Sequence, residues 1–233
     1  MMARNIMMSS GSVGITIAAT VRSPDIAALA RARGWNGYGL ITCTINAGVD
    51  VATLSISGIP HDCLTIINNG RIGGVLNSGT GLYTRTRIRV YNYGTIFGGG
   101  GKGGTGGGAS VWLTYDPINY KADAFGGSGG NGQGFSTSGS VTLVGATGGA
   151  AGTTGYTERS GSGTATAYGG TGGTGGAVGQ AGGPGSSGSY TGTGGYGGNY
   201  LAGGAGIAAG AYVDGNSYVT WVANGTRQGS AIN

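Results

Sequence analysis

Gly100-Gly101-Lys102, Gly103-Gly104-Thr105 and Gly106-Gly107-Gly108 are three successive G-G-x triplets, and Gly169-Gly170-Thr171, Gly172-Gly173-Thr174 and Gly175-Gly176-Ala177 repeat them. From Phe97 to Tyr212 the chain is built on glycine in this register. Glycine loses more backbone entropy on ordering than any other residue and brings no side chain to bury, so such composition usually means disorder. A kept register argues for order instead. Three residues per turn is the period of the polyproline-II helix, which rises ~3.1 Å per residue and turns its N–H and C=O groups outward. Several such helices packed side by side let bare glycine columns touch, with N–H···O=C bonds and Cα–H···O contacts in place of side-chain burial. The x residues Lys102, Thr105, Thr171 and Thr174 then form the column facing out of a slab.

Collagen is excluded, because proline occurs four times and G-X-Y is never sustained. Disorder is the competing reading, but the interruptions oppose it. Val111-Trp112-Leu113-Thr114-Tyr115-Asp116-Pro117-Ile118-Asn119-Tyr120 is aromatic and apolar where a solubilising linker would be polar. Each glycine run is long enough for one pass through the slab, and Gly169 to Gly185 for two, turning near Val178-Gly179-Gln180. Successive inserts then alternate ends. Those at 110–125, 153–167 and 186–193 fall far from the N-terminal module, and the one at 135–144 falls near it.

Composition breaks near Phe97, so two modules are the simplest reading of 233 residues. The first 97 residues hold eight Arg and three Asp, whereas the remainder balances four basic against four acidic groups. The excess charge invites nucleic acid as a partner, but R-G-G repeats, lysine runs and nucleic-acid fold signatures are all missing. Arg85, Arg87 and Arg89 alternate with Thr84, Thr86, Ile88 and Val90, so in one strand the three guanidiniums share a face. That face is either simply solvated or a docking face for an acidic protein partner.

Ser23-Pro24-Asp25 before Ile26 to Arg33 and Gly34 reads as a short helix: N-cap Ser23, Pro24 at N1, acid in the first turn, Arg at the end, Gly at C′. Val13 to Val21 and Gly39 to Ile45 read as strands. Leu64 to Gly74 then matches Ile88 to Gly98 at a constant offset of 24 residues. An apolar strand, an Asn-x-Gly corner and a second short strand, repeated, suggest rungs of a small β-solenoid with parallel strands. Asn and Gly are expected at that corner for a left-handed conformation. Tyr218 to Arg227 again joins an apolar strand to an Asn-Gly turn and is expected to return to the N-terminal module, with Trp221 as a core anchor.

Chemistry is sparse. His61, the single histidine, sits between Pro60 and Asp62 and reads as a turn residue, and Asp116, Asp123, Glu158 and Asp214 show no paired spacing. Gly98 to Thr105 is not a phosphate loop, since Lys102 is followed by Gly103. Cys43 and Cys63 read as buried thiols. No apolar run reaches the ~20 residues of a membrane span, and interruptions within Met1 to Thr20 argue against a signal peptide. No cofactor, metal or enzymatic activity is expected. The inserts carry Trp112, Tyr115, Tyr120, Phe135, Tyr156, Tyr190 and Tyr200. Aromatic rings on loops held by a rigid scaffold suit a binding surface; the competing reading is that some of them cap the ends of the slab.

These parts in this order resemble the tail-fibre-tip adhesins, or receptor-recognition proteins, of T-even-like bacteriophages. The likeness rests on the transition Asn92-Tyr93-Gly94-Thr95-Ile96-Phe97-Gly98-Gly99-Gly100-Gly101, on glycine motifs alternating with aromatic inserts, and on the closing Gly215 to Trp221 and Gly225-Thr226-Arg227. The resemblance implies a mostly irregular and β protein in three parts. A β-solenoid-like fibre-attachment module with one short helix occupies 1–97, a polyglycine-II helix sandwich with receptor-binding loops 98–211, and a returning C-terminal segment 212–233. It further implies a seat on the trimeric tip of the long tail-fibre protein, synthesis in the host cytoplasm, and loops that bind an outer-membrane protein of a Gram-negative host and set host range. Inserts carry over as positions, not as matched side chains. Trp112, Tyr115, Asp116, Tyr120, Lys121, Tyr156, Glu158, Arg159 and Tyr190 are the candidate receptor contacts, and Arg85, Arg87 and Arg89 the candidate fibre contacts. A fibre-assembly chaperone and a glycine-rich matrix protein are the alternatives.

Overall fold

The computed structural model describes residues 11–115, 118–159 and 163–233, with backbone alone at 114, 115, 118 and 119. The described chain is mostly β with one α-helix, and its sheets do not close into a barrel. Its first part winds in rungs. The first rung is β1 (Val13–Ile17) and β2 (Val21–Arg22), followed by α1 (Ile26–Ala32). The second is β3 (Ile41–Ile45), β4 (Asp50–Ala52) and β5 (Leu54–Ile56), and the third β6 (Leu64–Asn68), β7 (Arg71–Gly73) and β8 (Leu82–Thr84). The fourth begins with β9 (Ile88–Asn92) and β10 (Thr95–Phe97). Next in the chain come β11 (Ala109–Tyr115), β12 (Ile118–Ala124), β13 (Gly134–Phe135), β14 (Leu143–Val144), β15 (Thr154–Arg159), β16 (Gly163–Tyr168), β17 (Ser189–Gly192) and β18 (Tyr196–Tyr200), none of them in the rungs. Only β19 (Ala211–Asp214) supplies the fourth rung's third strand, pairing parallel with β8. The fifth rung is β20 (Val219–Ala223), β21 (Thr226–Gln228) and β22 (Ser230–Ile232). Residues 98–210 are therefore an excursion inside one rung, not an appendage after the last.

Three parallel ladders result, β1-β3-β6-β9-β20, β2-β4-β7-β10-β21 and β5-β8-β19-β22. Because side chains alternate across a strand, every second residue points into the stack. Ile15, Cys43, Ile66 and Val90 form one interior column, and Val13, Ile41, Leu64, Ile88 and Val219 another. The 24-residue offset is the register itself, Leu64 opposite Ile88 and Ile72 opposite Ile96. Ile26, Ala27 and Ala30 of α1, with Trp35, are buried in the same core.

The corner after β6 and β9 departs from expectation. Gly70 and Gly94 are not left-handed. They are glycine because the rungs touch there: a Cβ on Gly94 would lie 2.0 Å from the Gly70 carbonyl oxygen. Asn68 and Asn92 are fully buried as a ladder. Asn68 Nδ2 donates to Asn92 Oδ1 at 2.7 Å, and Asn92 Nδ2 donates to the Asn224 carbonyl at 2.9 Å, tying the returning segment to the stack. Left-handed glycines do occur at turns of other rungs, Gly48 and Gly225.

Two further local readings need correction. The helix is capped by Asp25, whose carboxylate accepts from Ala28 N–H at 2.9 Å, and not by Ser23. Asp is as good a cap as Ser and stands at the right spacing. Gly34, at φ +90°, closes the helix, its N–H bonding Arg31 and that of Trp35 bonding Ala30. Nor do the three arginines share one strand. Thr84 Oγ1 accepts from Thr86 N–H and donates to the Thr86 carbonyl, turning the chain between β8 and β9. Arg85 and Arg87 lie on this corner and pair with Asp214 and Asp62, each at 2.8 Å. Arg89 alone projects from a strand, on the solvent side of β9.

The excursion contains six extended runs, 98–108, 126–134, 145–153, 169–177, 180–188 and 201–210, each reversing the last. Every backbone bond series between them advances by three. Gly100, Gly103 and Gly106 donate to Gln133, Gly130 and Gly127; Gly101, Gly104 and Gly107 donate to Gln180, Gly183 and Ser186; Gly176, Gly173 and Gly170 donate to Gly101, Gly104 and Gly107. The bonding pattern makes two layers of three. Run 98–108 lies between 126–134 and 201–210, and run 169–177 lies between 145–153 and 180–188. The two central runs touch neighbours on all but one side, so two of their three columns must be glycine. A Cβ on Gly104 would sit 2.0 Å from the Gly204 oxygen, and one on Gly173 2.1 Å from the Gly183 oxygen. Thr105, Thr171 and Thr174 occupy the remaining column and are exposed. An edge run needs fewer glycines: in 145–153 Gly149 faces the Gly172 backbone, whereas Gly148 has open space.

Two outcomes test this account. Gly173→Ala forces apart backbones that have no side chain to rotate away, and is expected to cost on the order of 1–3 kcal/mol, while Gly148→Ala leaves the melting temperature unchanged. Asn92→Ala leaves the Asn68 amide only its longer bond to the Thr95 carbonyl, at 3.3 Å, and takes the side-chain donor from the Asn224 carbonyl; it should cost about 1–3 kcal/mol, read as an earlier midpoint in urea.

Candidate functional site

Runs 98–108, 145–153 and 180–188 all head away from the parallel stack, so the segments that follow them meet at one end. There β11 and β12 form an antiparallel hairpin, and β18 pairs with the other edge of β11. β15 and β16 form a second hairpin, and β17 extends it. The chain passes from β17 to β18 through Gly194 at φ +78°, so one short connection links the two three-stranded sheets. Their inner faces bury Ala109, Val111, Leu113, Ala122 and Ala124 against Ala165 and Ala167. Small side chains let the sheets approach closely, and strand alternation sends the intervening residues outward.

The insert at 135–144 behaves differently. It lies at the stack end, where Phe135 is wholly buried with Phe97 and Ala52, ring centroids 5.1 Å apart for the two phenylalanines. Arg22 Nη1 donates to the Ser136 carbonyl at 2.5 Å. Phe135 is thus a plug between glycine lattice and parallel stack, the capping role allowed for some of the insert rings.

The tip separates the candidate contacts by face. Trp112 and Lys121 are cross-strand partners on the outer face of the first sheet, Trp112 resting over Gly197. Lys121 pairs with Asp123 at 3.0 Å, and Ser110 Oγ donates to the same carboxylate. Tyr156 and Glu158 lie on the outer face of the second sheet, Tyr156 OH donating to Glu158 Oε2 at 2.8 Å. Tyr120 and Arg159 share the seam between sheets, the guanidinium 5.7 Å from the ring centroid. Tyr190 is half-buried, packed on the alanine core beside Tyr196 and Tyr200. Tyr115 ends β11, and Asp116 lies outside the described residues. The structure adds Tyr168, Tyr196 and Phe125 as exposed rings, Phe125 at 71%. Phe125 closes the insert at 110–125 while Tyr168 and Tyr196 flank the later two, and which way they point depends on register, which spacing along the chain does not reveal.

Electrostatics are local. Asp123 is held below the usual carboxylate range by the Ser110 hydroxyl and then by Lys121, and Tyr156 is raised by its bond to Glu158. Away from the tip, burial pushes the Cys43 thiol up to about 12, and Cys63 is half-buried. His61 accepts from Arg87 N–H through Nδ1 and stacks on Tyr218, a structural use. Among the described residues no three His, Cys, Asp or Glu side chains gather as metal ligands, and no helix is long and apolar enough to cross a membrane.

Residues 12–232 match the family model of the phage tail fibre adhesin Gp38. No curated protein matches the chain. Among solved structures the chain is similar to the gp37-gp38 adhesin tip complex of the bacteriophage S16 long tail fiber, at 19% identity and a TM-score of 0.44, covering 94% of this chain and 82% of that one.

A depressed carboxylate pKa stabilises the fold above the unfolded value, 3.8 for Asp123, and that stabilisation is lost as pH falls through the lower folded value. Ser110→Ala removes the larger cause. NMR titration of Asp123 should then give a pKa nearer 3.8, with the tip less stable at neutral pH and losing less on acidification than the parent.

Proposed function

The chain belongs to the Gp38 family of phage tail fibre adhesins, and from that premise we propose that its far tip docks onto an outer-membrane protein of a Gram-negative host and sets host range. An adhesin is a binding protein and not an enzyme, and its place is the tail fibre of the virion. The observation that carries the receptor reading is convergence: three inserts distant in sequence build one two-sheet tip with exposed Tyr156, Tyr168, Tyr196 and Tyr200, at the end opposite the parallel stack. Aromatic rings on a rigid support give contact area at low entropy cost. Trp112 with Lys121 and Tyr156 with Glu158 offer two outer faces, and Tyr120 with Arg159 the seam between them. Tyr115 ends β11 of the same hairpin, Asp116 follows it in the sequence, and Tyr190 supports the surface from beneath. Weak single contacts suffice, because several fibres engage one cell.

The parallel rungs, read as a short β-solenoid over 1–97 and completed by 212–233, form the module we assign to the trimeric tip of the long tail-fibre protein. Arg89 is the principal cation offered to that partner, since Arg85 and Arg87 arrive already paired with carboxylates. Residues 98–211, read as a polyglycine-II sandwich, hold the tip at a fixed distance from this seat.

Adsorption of purified protein to host cells tests the reading. Trp112→Ser and the double change Tyr156→Ser with Tyr168→Ser should each weaken binding tenfold or more, about 1.4 kcal/mol, at unchanged melting temperature. Undiminished adsorption by all of these folded variants would remove the receptor from the tip.

A further inference from the structure

Where the glycine lattice passes into the first tip sheet, the outer face of that sheet holds a groove of about 350 Å³, at the lower end of the roughly 300–1,000 Å³ typical of small-molecule sites. Its floor is Gly108. Its walls are Phe125 and Leu201, which follow β12 and β18 on either side of β11 and are 71% and 69% exposed. Two strand spacings separate the walls by about 10 Å, a slot for one six-membered ring lying against the phenyl group. At the head of the slot the register sets Asp123, Ser110 and Asn199 in a single row across three strands.

We propose that this groove binds an uncharged pyranose ring of a bacterial surface glycan. The charge balance is complementary to such a ligand: Lys121 and Asp123 neutralise each other at 3.0 Å, so an ionic ligand finds no excess charge. Both the Lys121 ion pair and the Ser110 hydrogen bond fall on Asp123 Oδ1, which keeps Oδ2 as an acceptor on one side of the slot, with the Asn199 amide two strands away on the other. Acceptor and amide on opposite sides of the slot suit hydroxyls at opposite edges of one ring, while Phe125 and Leu201 suit its C–H face. An aromatic peptide side chain would satisfy the walls but leave Asp123 Oδ2 and the Asn199 amide desolvated without partners, which costs free energy. The site is distinct from the outer contacts Trp112, Tyr156 and Glu158. It rests on the adhesin reading only for the source of the glycan.

The test is an NMR titration of the full chain, labelled with nitrogen-15, with the methyl glycosides of glucose, galactose and N-acetylglucosamine. At least one should give saturable shifts at the amides of Ser110, Asp123, Phe125, Asn199 and Leu201, with a dissociation constant on the order of 1–10 mM. Phe125→Ser and Asn199→Ala should each weaken it fivefold or more without lowering the melting temperature, and Tyr156→Ser should leave it unchanged. No shift with any glycoside at about 50 mM, or equal shifts in Phe125→Ser, would overturn the proposal. So would tighter binding of N-acetylphenylalaninamide at the same amides. Because the titration uses no receptor, its failure leaves tip-dependent adsorption standing, and failed adsorption leaves the titration standing.

Discussion

The N–H···O=C bond between glycine runs, repeated every third residue, is the interaction on which this protein's shape depends. A side-chain core gains stability by removing apolar surface from water; here most of the excursion has no side chains to remove. Stability comes instead from satisfying backbone donors and acceptors in neighbouring runs, with Cα–H groups close to carbonyls. The arrangement tolerates almost no added volume in its central columns, where a single Cβ would fall about 2 Å from a carbonyl oxygen. That intolerance explains the composition. Glycine is needed in two columns at 98–108 and 169–177, and is partly replaced by Ala, Thr, Leu and Ile in the outer runs 145–153 and 201–210.

A lattice with little side-chain burial needs its ends held, and both are. At one end the excursion leaves from Phe97 and returns at Ala211, two positions fixed in adjoining ladders of the same rung. Phe135 plugs the junction, and Asn92 couples the fourth rung to the returning fifth. At the other end the runs are clamped by the two-sheet tip, whose alanine-rich core brings inserts from three loops into one body. The outer faces of the tip are therefore positioned by a chain of rigid elements.

Local signals were legible where they depend on neighbours in sequence. The repeat from Leu64 to Gly74 and Ile88 to Gly98 is visible because stacked rungs use the same residues at the same register. Gly34 announced the end of α1 because only glycine closes that turn cheaply. Errors arose where two residues competed for one role, as with Ser23 and Asp25 at the cap, or where a side chain reached its own backbone, as Thr84 does in breaking the arginine stripe. Along the chain the Asn-Gly corner reads as a conformational need, whereas the buried ladder Asn68–Asn92 makes it a contact between rungs.

The candidate contacts divide along the same line. Their residue types and their grouping in inserts were evident along the chain, but their faces were not. Trp112 and Tyr120 share a hairpin yet point to opposite sides of a sheet, because eight positions apart in sequence is the same strand parity only until the turn resets it. The sequence by itself determined the glycine period, the rungs and the places where inserts interrupt the lattice, since each follows from the steric and hydrogen-bonding needs of short segments. Only the tertiary structure decided that the lattice is inserted within one rung and that distant inserts share a core, because those facts rest on backbone pairings between residues far apart in the chain, Leu82 with Val213 and Ala109 with Tyr200.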